Sequence, residues 1–293
     1  MQKYKKKYLF VGLGTMGFPM AGHLSKNPNV DLYVFNRTQS KTKLWLTKYN
    51  GKEYVFETND IKFDGIITCL KDDHAITNSL LDSSLISSLQ DNSFILDHST
   101  TSLELVNQFI KNEIIIKKNV DFYDAPISGG EIAAVNGTLS VMIGGSIDNF
   151  SKISTFISAY TKSITHIGES GHGQIAKMMN QLSIAGTLQG LSESIVFGKK
   201  YDVDLGKVFE AISNGAAQSW QMDNRFKTMV SNEYDFGFAI RLMIKDLGII
   251  LSEAQKQKLQ LSIGKQTFDE YKKLDSEGYG KLDTSALVKK FHD

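Results

Sequence analysis

Lys177, Asn180 and Gln181 stand at i, i+3 and i+4. On a helix that spacing brings all three to one face. An ammonium beside two carboxamides suits a carbonyl that must be polarised and protonated. Proton transfer by such a lysine is worth about 10²–10⁴-fold in rate, and its charge also steadies an oxygen that turns anionic. Taken alone, a helical lysine is more often a stem laid along apolar surface with its ammonium in water. Ser128-Gly129-Gly130 follows a β-type run and Pro126. It is either an ordinary turn or an anion cradle made of a hydroxyl and exposed glycine N–H groups.

The strongest local signal is Gly12-Leu13-Gly14-Thr15-Met16-Gly17, behind the apolar run Tyr8–Val11 and ahead of a helical pattern. Gly12 allows a tight turn, Gly14 a close backbone approach to a pyrophosphate, and Gly17 close packing of helix on strand. The helix start then offers N–H donors and a partial positive charge to phosphates. At the end of the next strand, where a carboxylate would hold the ribose hydroxyls of NAD, the chain has Asn36-Arg37-Thr38. No carboxylate stands there to repel a 2′-phosphate, and the planar fork of Arg37 matches one. NADP is therefore expected over NAD, with NAD possible. The other reading of Arg37 is a solvated loop residue.

The elements that must carry these residues change character along the chain. β-type runs at Tyr8–Val11, Leu32–Phe35, Ile66–Leu70, Phe94–Leu96, Asp121–Tyr123 and Leu139–Ile143 alternate with helical stretches at Thr15–Lys26, Thr38–Tyr49 and around Asn149–Tyr160. A further helix is expected from Thr101, with Thr101 and Glu104 as its capping box. Alternating strands and helices imply βαβ units and a parallel sheet. From about Ile167 the pattern becomes helical. Ile175, Met178, Leu182, Ala185, Leu188 and Leu191 step by three and four within Gln174–Lys199. Ala176, Gly186 and Gly190 in that stretch suggest close packing on another helix. More helices are expected at Leu205–Ile212, Ile240–Leu259 and Thr284–Phe291. The fold class is α/β: an N-terminal Rossmann-type parallel-sheet domain over 1–166, then a long helix and an all-α domain over 167–293.

Composition narrows the functions. With 33 Lys and Arg against 32 Asp and Glu in 293 residues, the chain has no general electrostatic reason to bind nucleic acid or membrane. No apolar run reaches the roughly 18–20 residues of a membrane span. Lys3, Lys5, Lys6 and Lys7 start a basic tip, but the apolar stretch behind it is too short for an export signal. A single cysteine, Cys69, excludes an internal disulfide framework and points to a reducing, cytoplasmic setting. Cys69 itself reads as a small core residue rather than a nucleophile. His23, His74, His166, His172 and His292 show no metal-ligand spacing, so no metal is expected.

Taken together, the motifs resemble the β-hydroxyacid dehydrogenases, the family of 3-hydroxyisobutyrate dehydrogenase and of the glyoxylate and succinic semialdehyde reductases. The resemblance runs along nearly the whole chain in order: the glycine motif at Gly12–Leu24, the D-x-S-T loop as Asp97-His98-Ser99-Thr100, the substrate signature at Asp124–Gly145, the G-x-G-x-x-x-K helix at Gly171–Gln181, and Phe238 with Lys245-Asp246-Leu247.

The resemblance implies hydride exchange between a nicotinamide cofactor and a small carboxylate, with Lys177 passing the proton. It gives Ser128, Gly129 and Gly130 the substrate carboxylate. It places Thr100 near both nicotinamide and substrate, and Asn180 and Gln181 at the substrate. The cofactor shell is the glycine motif, Asn36, Arg37, Thr38, Leu70, Thr100 and Lys245. Phe238 is either a pocket wall or a core aromatic, with Trp220 a weaker candidate wall. Lys245 and Asp246 either cap the pocket or form a structural ion pair. Reduction of a semialdehyde or glyoxylate is the expected direction, because NADPH is usually the reduced pool. Homodimers or homotetramers are expected.

Two positions depart from the family pattern. The second of two adjacent Asn residues is Gln181, one methylene longer, and His98 fills the variable place of D-x-S-T. Both leave the substrate open, since an added methyl or hydroxyl changes pocket binding by only about 1–3 kcal/mol. The rivals on this scaffold are an imine reductase, which replaces the lysine, and a non-catalytic cofactor-holding scaffold.

Overall fold

The computed structural model describes residues 5–55, 61–81 and 85–291; Lys3 and His292 lie outside the described residues. Two compact units divide the chain, Met1–Lys177 and Met178–Asp293.

The first unit opens with β1 (Lys6–Val11), α1 (Gly17–Leu24), β2 (Val30–Phe35) and α2 (Gln39–Lys48). A two-residue β3 (Lys52–Glu53), β4 (Phe63–Thr68) and the short α3 (Asp73–Ile76) follow. Next come β5 (Leu89–Asp97), α4 (Leu103–Ile110), α5 (Glu113–Lys117) and β6 (Asp121–Asp124). The two-residue β7 (Ile127–Ser128), α6 (Gly130–Asn136), β8 (Leu139–Gly144), α7 (Phe150–Ile157) and β9 (Thr161–Gly168) complete the sheet.

Among the described residues the strands form one sheet in the order β3-β2-β1-β4-β5-β6-β8-β7, with β9 on β8. From β3 to β6 every pairing is parallel. β8 returns antiparallel to β6 and β7, because the chain folds back through α6 instead of crossing over. Strand side chains alternate between faces. Tyr8 and Phe10 join Met20 and Leu24 of α1 in one core, while Leu9 and Val11 join Leu105 and Phe109 of α4 in the other. Covering both faces is what makes these strands read as unbroken apolar runs.

The second unit is helical. α8 (His172–Lys200) enters it and is followed by α9 (Leu205–Ile212), α10 (Trp220–Val230), α11 (Ile240–Lys256), α12 (Ser262–Ser276) and a 3-10 segment, Thr284–Phe291. Met178, Ala185, Leu188 and Leu191 on α8 are buried as their spacing predicts, but Ile175 is 40% exposed. No helix of the described residues is long and apolar enough to cross a membrane.

Several expectations need correction. The expected boundary at 166/167 precedes the structural division, because Asp124 on β6 accepts hydrogen bonds from the N–H groups of Gly171 and Gln174 and keeps the first turns of α8 with the sheet. The cap of α4 is Ser102, not Thr101: Ser102 Oγ accepts from Leu105 N at 3.1 Å. Close helix packing is made at Gly264, where a Cβ would come 2.9 Å from Leu182; a Cβ on Gly186 would reach Ile263 at 3.9 Å, an ordinary contact, and one on Gly190 would meet nothing within 4 Å. β9, α10 and α12 were not expected at all.

Candidate active site

Parallel register lines up the carboxyl ends of five strands. Phe35 pairs with Val11, Val11 with Thr68, Thr68 with Asp97, and Asp97 with Asp124. Each of these residues is followed at once by a sequence singled out for chemistry: Asn36-Arg37-Thr38, Gly12–Gly17, Cys69-Leu70, His98-Ser99-Thr100 and the stretch to Ser128. Strand order reverses between β1 and β4. Ligands of open α/β sheets bind outside the carboxyl ends at such a switch point.

The glycine loop has the shape that a phosphate site requires. Gly12 has φ +104°, and a Cβ there would lie 2.4 Å from Cys69 O. A Cβ on Gly17 would lie 1.9 Å from Gly12 O, so the start of α1 presses on the turn. Gly14 is different: a Cβ would meet nothing within 4 Å. Its bare backbone therefore faces open space at the head of α1, where N–H groups and the helix dipole favour an anion. A nicotinamide dinucleotide fits this cradle.

Asn36 braces the loop from the side. Its Oδ1 accepts from Leu13 N at 2.9 Å and its Nδ2 donates to Thr38 O at 3.1 Å. Arg37 and Thr38 are exposed at the end of β2, Thr15 is exposed beside Gly14, and Met16 is half-buried.

Behind β4, β5 and β6 lies a buried polar network. Asp97 accepts from Thr68 Oγ1 at 2.7 Å and from Ser99 N at 2.9 Å. Ser99 Oγ in turn accepts from Leu70 N at 2.8 Å, which ties the D-H-S-T loop to the turn after β4. Burial raises Asp97 to about 6, against hydrogen bonds from Ser99 and Thr68 that lower it. Burial likewise raises Asp124 to about 6, against the helix N–H groups it accepts.

His98 is fully enclosed, with Nδ1 2.6 Å from Ala125 O and Nε2 2.8 Å from the Tyr160 hydroxyl. A carbonyl can only accept, so the ring proton sits on Nδ1 and Nε2 accepts from tyrosine. Burial pushes His98 down to about 4. His98 is therefore a core residue. The thiol of Cys69 is pushed up to about 12 by burial and by Asp97, which fits a packed residue and not a nucleophile.

Lys177 is 8% exposed and its Nζ donates to Ile127 O at 2.8 Å. That places its ammonium at the backbone of the residue before Ser128. Ser128 is fixed on β7 opposite Ser140. Gly129 and Gly130 then turn with φ +125° and +67°, left-handed values that glycine adopts freely. Both glycines are exposed. Thr100 is half-buried between Ser99 and Thr101.

Gln174 is a site residue that the sequence analysis missed. It is fully buried, its Nε2 donates to Ser99 O at 2.8 Å, and its Oε1 accepts from Thr101 N at 3.1 Å.

Within the second unit, Gln181 is 2% exposed and both ends of its amide are engaged. Asn180 Nδ2 donates to Gln181 Oε1 at 2.9 Å, and Gln181 Nε2 donates to Asp246 Oδ2 at 2.6 Å. The extra methylene carries the amide to Asp246. Lys245 Nζ lies 2.9 Å from Asp246 Oδ1, the ion pair that was one of its two readings. Phe238 is half-buried, its N–H donates to Asp283 Oδ2 at 2.8 Å, and its carbonyl accepts from Thr284. Trp220 is 55% exposed, with the Arg225 guanidinium 5.0 Å from its ring centre. Among the described residues, no group of three or more His, Cys, Asp or Glu could hold a metal ion. His23 and His166 contact backbone carbonyls instead.

The glycine loop, the switch point and the helical second unit define a dinucleotide-binding α/β oxidoreductase architecture. Residues 7–168 match the family described as the NAD binding domain of 6-phosphogluconate dehydrogenase. Residues 171–291 match that described as the NAD-binding of NADP-dependent 3-hydroxyisobutyrate dehydrogenase. An uncharacterized oxidoreductase of Shewanella frigidimarina is 40% identical over 96% of this chain and 97% of its own. A probable 3-hydroxyisobutyrate dehydrogenase-like 1 protein of Arabidopsis thaliana is 34% identical over 95% of this chain and 83% of its own. The solved Mycobacterium tuberculosis 3-hydroxyisobutyrate dehydrogenase with L-serine shares the fold, at TM-score 0.85 and 22% identity over 99% of this chain and 100% of that one. The chain belongs to the β-hydroxyacid dehydrogenase family, and is an NAD(P)-binding oxidoreductase acting on CH–OH groups.

Proposed function

We propose that this enzyme reduces a small carboxylate-bearing aldehyde, a semialdehyde or glyoxylate, to the hydroxy acid with NADPH, reversibly. The observation that carries this is the pairing of a nearly buried Lys177 with Ile127 O at 2.8 Å, next to the Ser128-Gly129-Gly130 turn. A bound nicotinamide supplies the hydride for the carbonyl carbon in reduction and takes it back in oxidation.

The protein's own residues do the rest. The glycine loop and the head of α1 hold the pyrophosphate. The Ser128 hydroxyl and the exposed N–H groups of Gly129 and Gly130 hold the substrate carboxylate. Lys177 gives its proton to the carbonyl oxygen as the C–H bond forms, and takes it back in the reverse direction. Asn180, one turn further along α8, adds an amide donor. The Lys177 ammonium is also what disfavours an imine reductase or a non-catalytic scaffold.

NADP over NAD is supported by the exposed Arg37 and Thr38 at the end of β2, with no carboxylate in Asn36-Arg37-Thr38. A homodimer or homotetramer in the cytoplasm is part of the same proposal. The exposed Met179 and Phe197 on α8 and Tyr201 just after it support assembly; gel filtration at the mass of one chain would contradict it.

The test is cofactor oxidation with glyoxylate, succinic semialdehyde, methylmalonate semialdehyde and tartronate semialdehyde, each with NADPH and with NADH. Turnover of at least one, faster with NADPH, is expected. Arg37→Asp should then weaken NADPH by about 10–100-fold, as the loss of charge-assisted hydrogen bonds predicts, and leave NADH unchanged. No turnover of any aldehyde would reject the substrate class, and an unchanged NADPH-to-NADH ratio would reject the 2′-phosphate role.

A further inference from the structure

We infer that Gln174 is a positioning residue that locks the Ser99–Thr101 loop to the helix carrying Lys177; this rests on the proposed role of Lys177. One planar amide bonds to the backbone on both sides of Thr100: Nε2 to Ser99 O at 2.8 Å and Oε1 from Thr101 N at 3.1 Å. Those two partners settle which end of the amide is oxygen, since a carbonyl needs a donor and an N–H needs an acceptor.

The same residue is anchored from below. Its backbone N–H donates to Asp124 Oδ2 at 2.8 Å, and Gly171 N donates to Asp124 Oδ1 at 2.6 Å. The turn is seated against the sheet: a Cβ on Gly173 would lie 2.5 Å from Asp124 O and 2.6 Å from Met142 O. Lys177 follows Gln174 by three residues on α8, so the two stand one turn apart on the same face. The helix turn is thus held by β6, and the loop bearing Thr100 is held by that turn. Thr100 and the Lys177 ammonium consequently share one rigid frame. A misplacement of about 1 Å between reacting groups costs on the order of 10²-fold in rate, so a buried amide in this place governs turnover without touching substrate.

No substitution of similar length keeps both bonds at every pH. Methionine keeps the volume and loses both. A protonated glutamic acid can donate to Ser99 O and accept from Thr101 N, but its carboxylate can only accept. Asp124 accepts from the Gln174 N–H, Asp97 and Asp73 accept from the Ser99 and Ser102 N–H groups of the same loop, His98 precedes Ser99 and Lys177 shares the helix; all of these are common to wild type and variant.

The experiment combines turnover, NADPH binding by fluorescence and amide exchange by mass spectrometry on wild type, Gln174→Met and Gln174→Glu. Gln174→Met should bind NADPH within about twofold of wild type, lose at least about tenfold in kcat, and exchange faster across residues 99–105 than elsewhere. Gln174→Glu should lose kcat relative to wild type as the pH rises and its carboxyl ionises, a trend that general destabilisation would not produce. A kcat within about twofold of wild type in Gln174→Met, or a pH-independent ratio in Gln174→Glu, overturns the inference. If wild type reduces none of the aldehydes, the proposed function fails by itself. The exchange arm still judges the lock, and unchanged protection across 99–105 in Gln174→Met would overturn it.

Discussion

Gln181 donates to Asp246 at 2.6 Å, and both side chains are 2% exposed. The residue that departs from the family pattern thus serves as a strut of the helical unit. Asp246 has Lys245 on its other oxygen, so the carboxylate is held from two sides. Gln181→Asn withdraws the amide by one methylene and leaves a buried oxygen short of a donor. The expected cost is about 1–3 kcal/mol of unfolding free energy, read from denaturant melts at constant slope. A change below about 0.5 kcal/mol, the usual range of inconsequential substitutions, would show that Asp246 does not need it.

The glycine loop predicts opposite outcomes for two similar substitutions. A methyl on Gly14 meets nothing within 4 Å, whereas one on Gly17 lies 1.9 Å from Gly12 O. Gly14→Ala should leave thermal stability intact and weaken NADPH binding, because the methyl occupies the space where phosphate approaches backbone. Gly17→Ala should lower the melting temperature, since the head of α1 must move off the turn. Titration of both variants with NADPH, beside their melting curves, checks this. Equal cofactor affinity of Gly14→Ala and wild type would remove the phosphate from that place.

His98 gives a pH signature of stability. It is enclosed by Ala125 O and the Tyr160 hydroxyl and pushed down to about 4 by burial, from 6.5. Its folded value lies below the unfolded one, so the unfolded chain takes the proton first. The stability it allows is present above about 6.5 and is lost as the pH falls toward 4. Asp97 and Asp124, raised to about 6, act in the opposite sense, but they are shared by wild type and variant. His98→Asn should therefore be the less stable protein at pH 7, and the gap should narrow by about 2 kcal/mol at pH 5. Paired urea melts at the two pH values decide it, and a gap that stays constant would mean that His98 titrates normally.

How much of this was legible depends on the signal each element carries. The glycine loop and α8 stood out because turn geometry and an apolar step of three and four are written locally. α12 did not, since two of its four buried residues are Gly264 and Thr267, beside Tyr271 and Leu274, so the apolar period is broken. β9 has only half-buried and exposed residues along Thr161–Gly168, a polar edge strand without the dense apolar run of β1. The Thr101–Glu104 spacing fitted a capping box, but Ser102 sits one residue on and Gln174 draws the Thr101 backbone inward. Gln174 itself carried no signal, because its partners are 73 and 75 positions away.

The proposed reaction turns on proton transfer by Lys177. Its most direct test is single turnover: enzyme loaded with NADPH is mixed with the aldehyde it reduces, and nicotinamide absorbance is followed for wild type and Lys177→Ala. The hydride-transfer rate should fall by about 10²–10⁴-fold while NADPH affinity stays near that of wild type. A rate within about threefold of wild type, at equal cofactor occupancy, would contradict Lys177 as the acid.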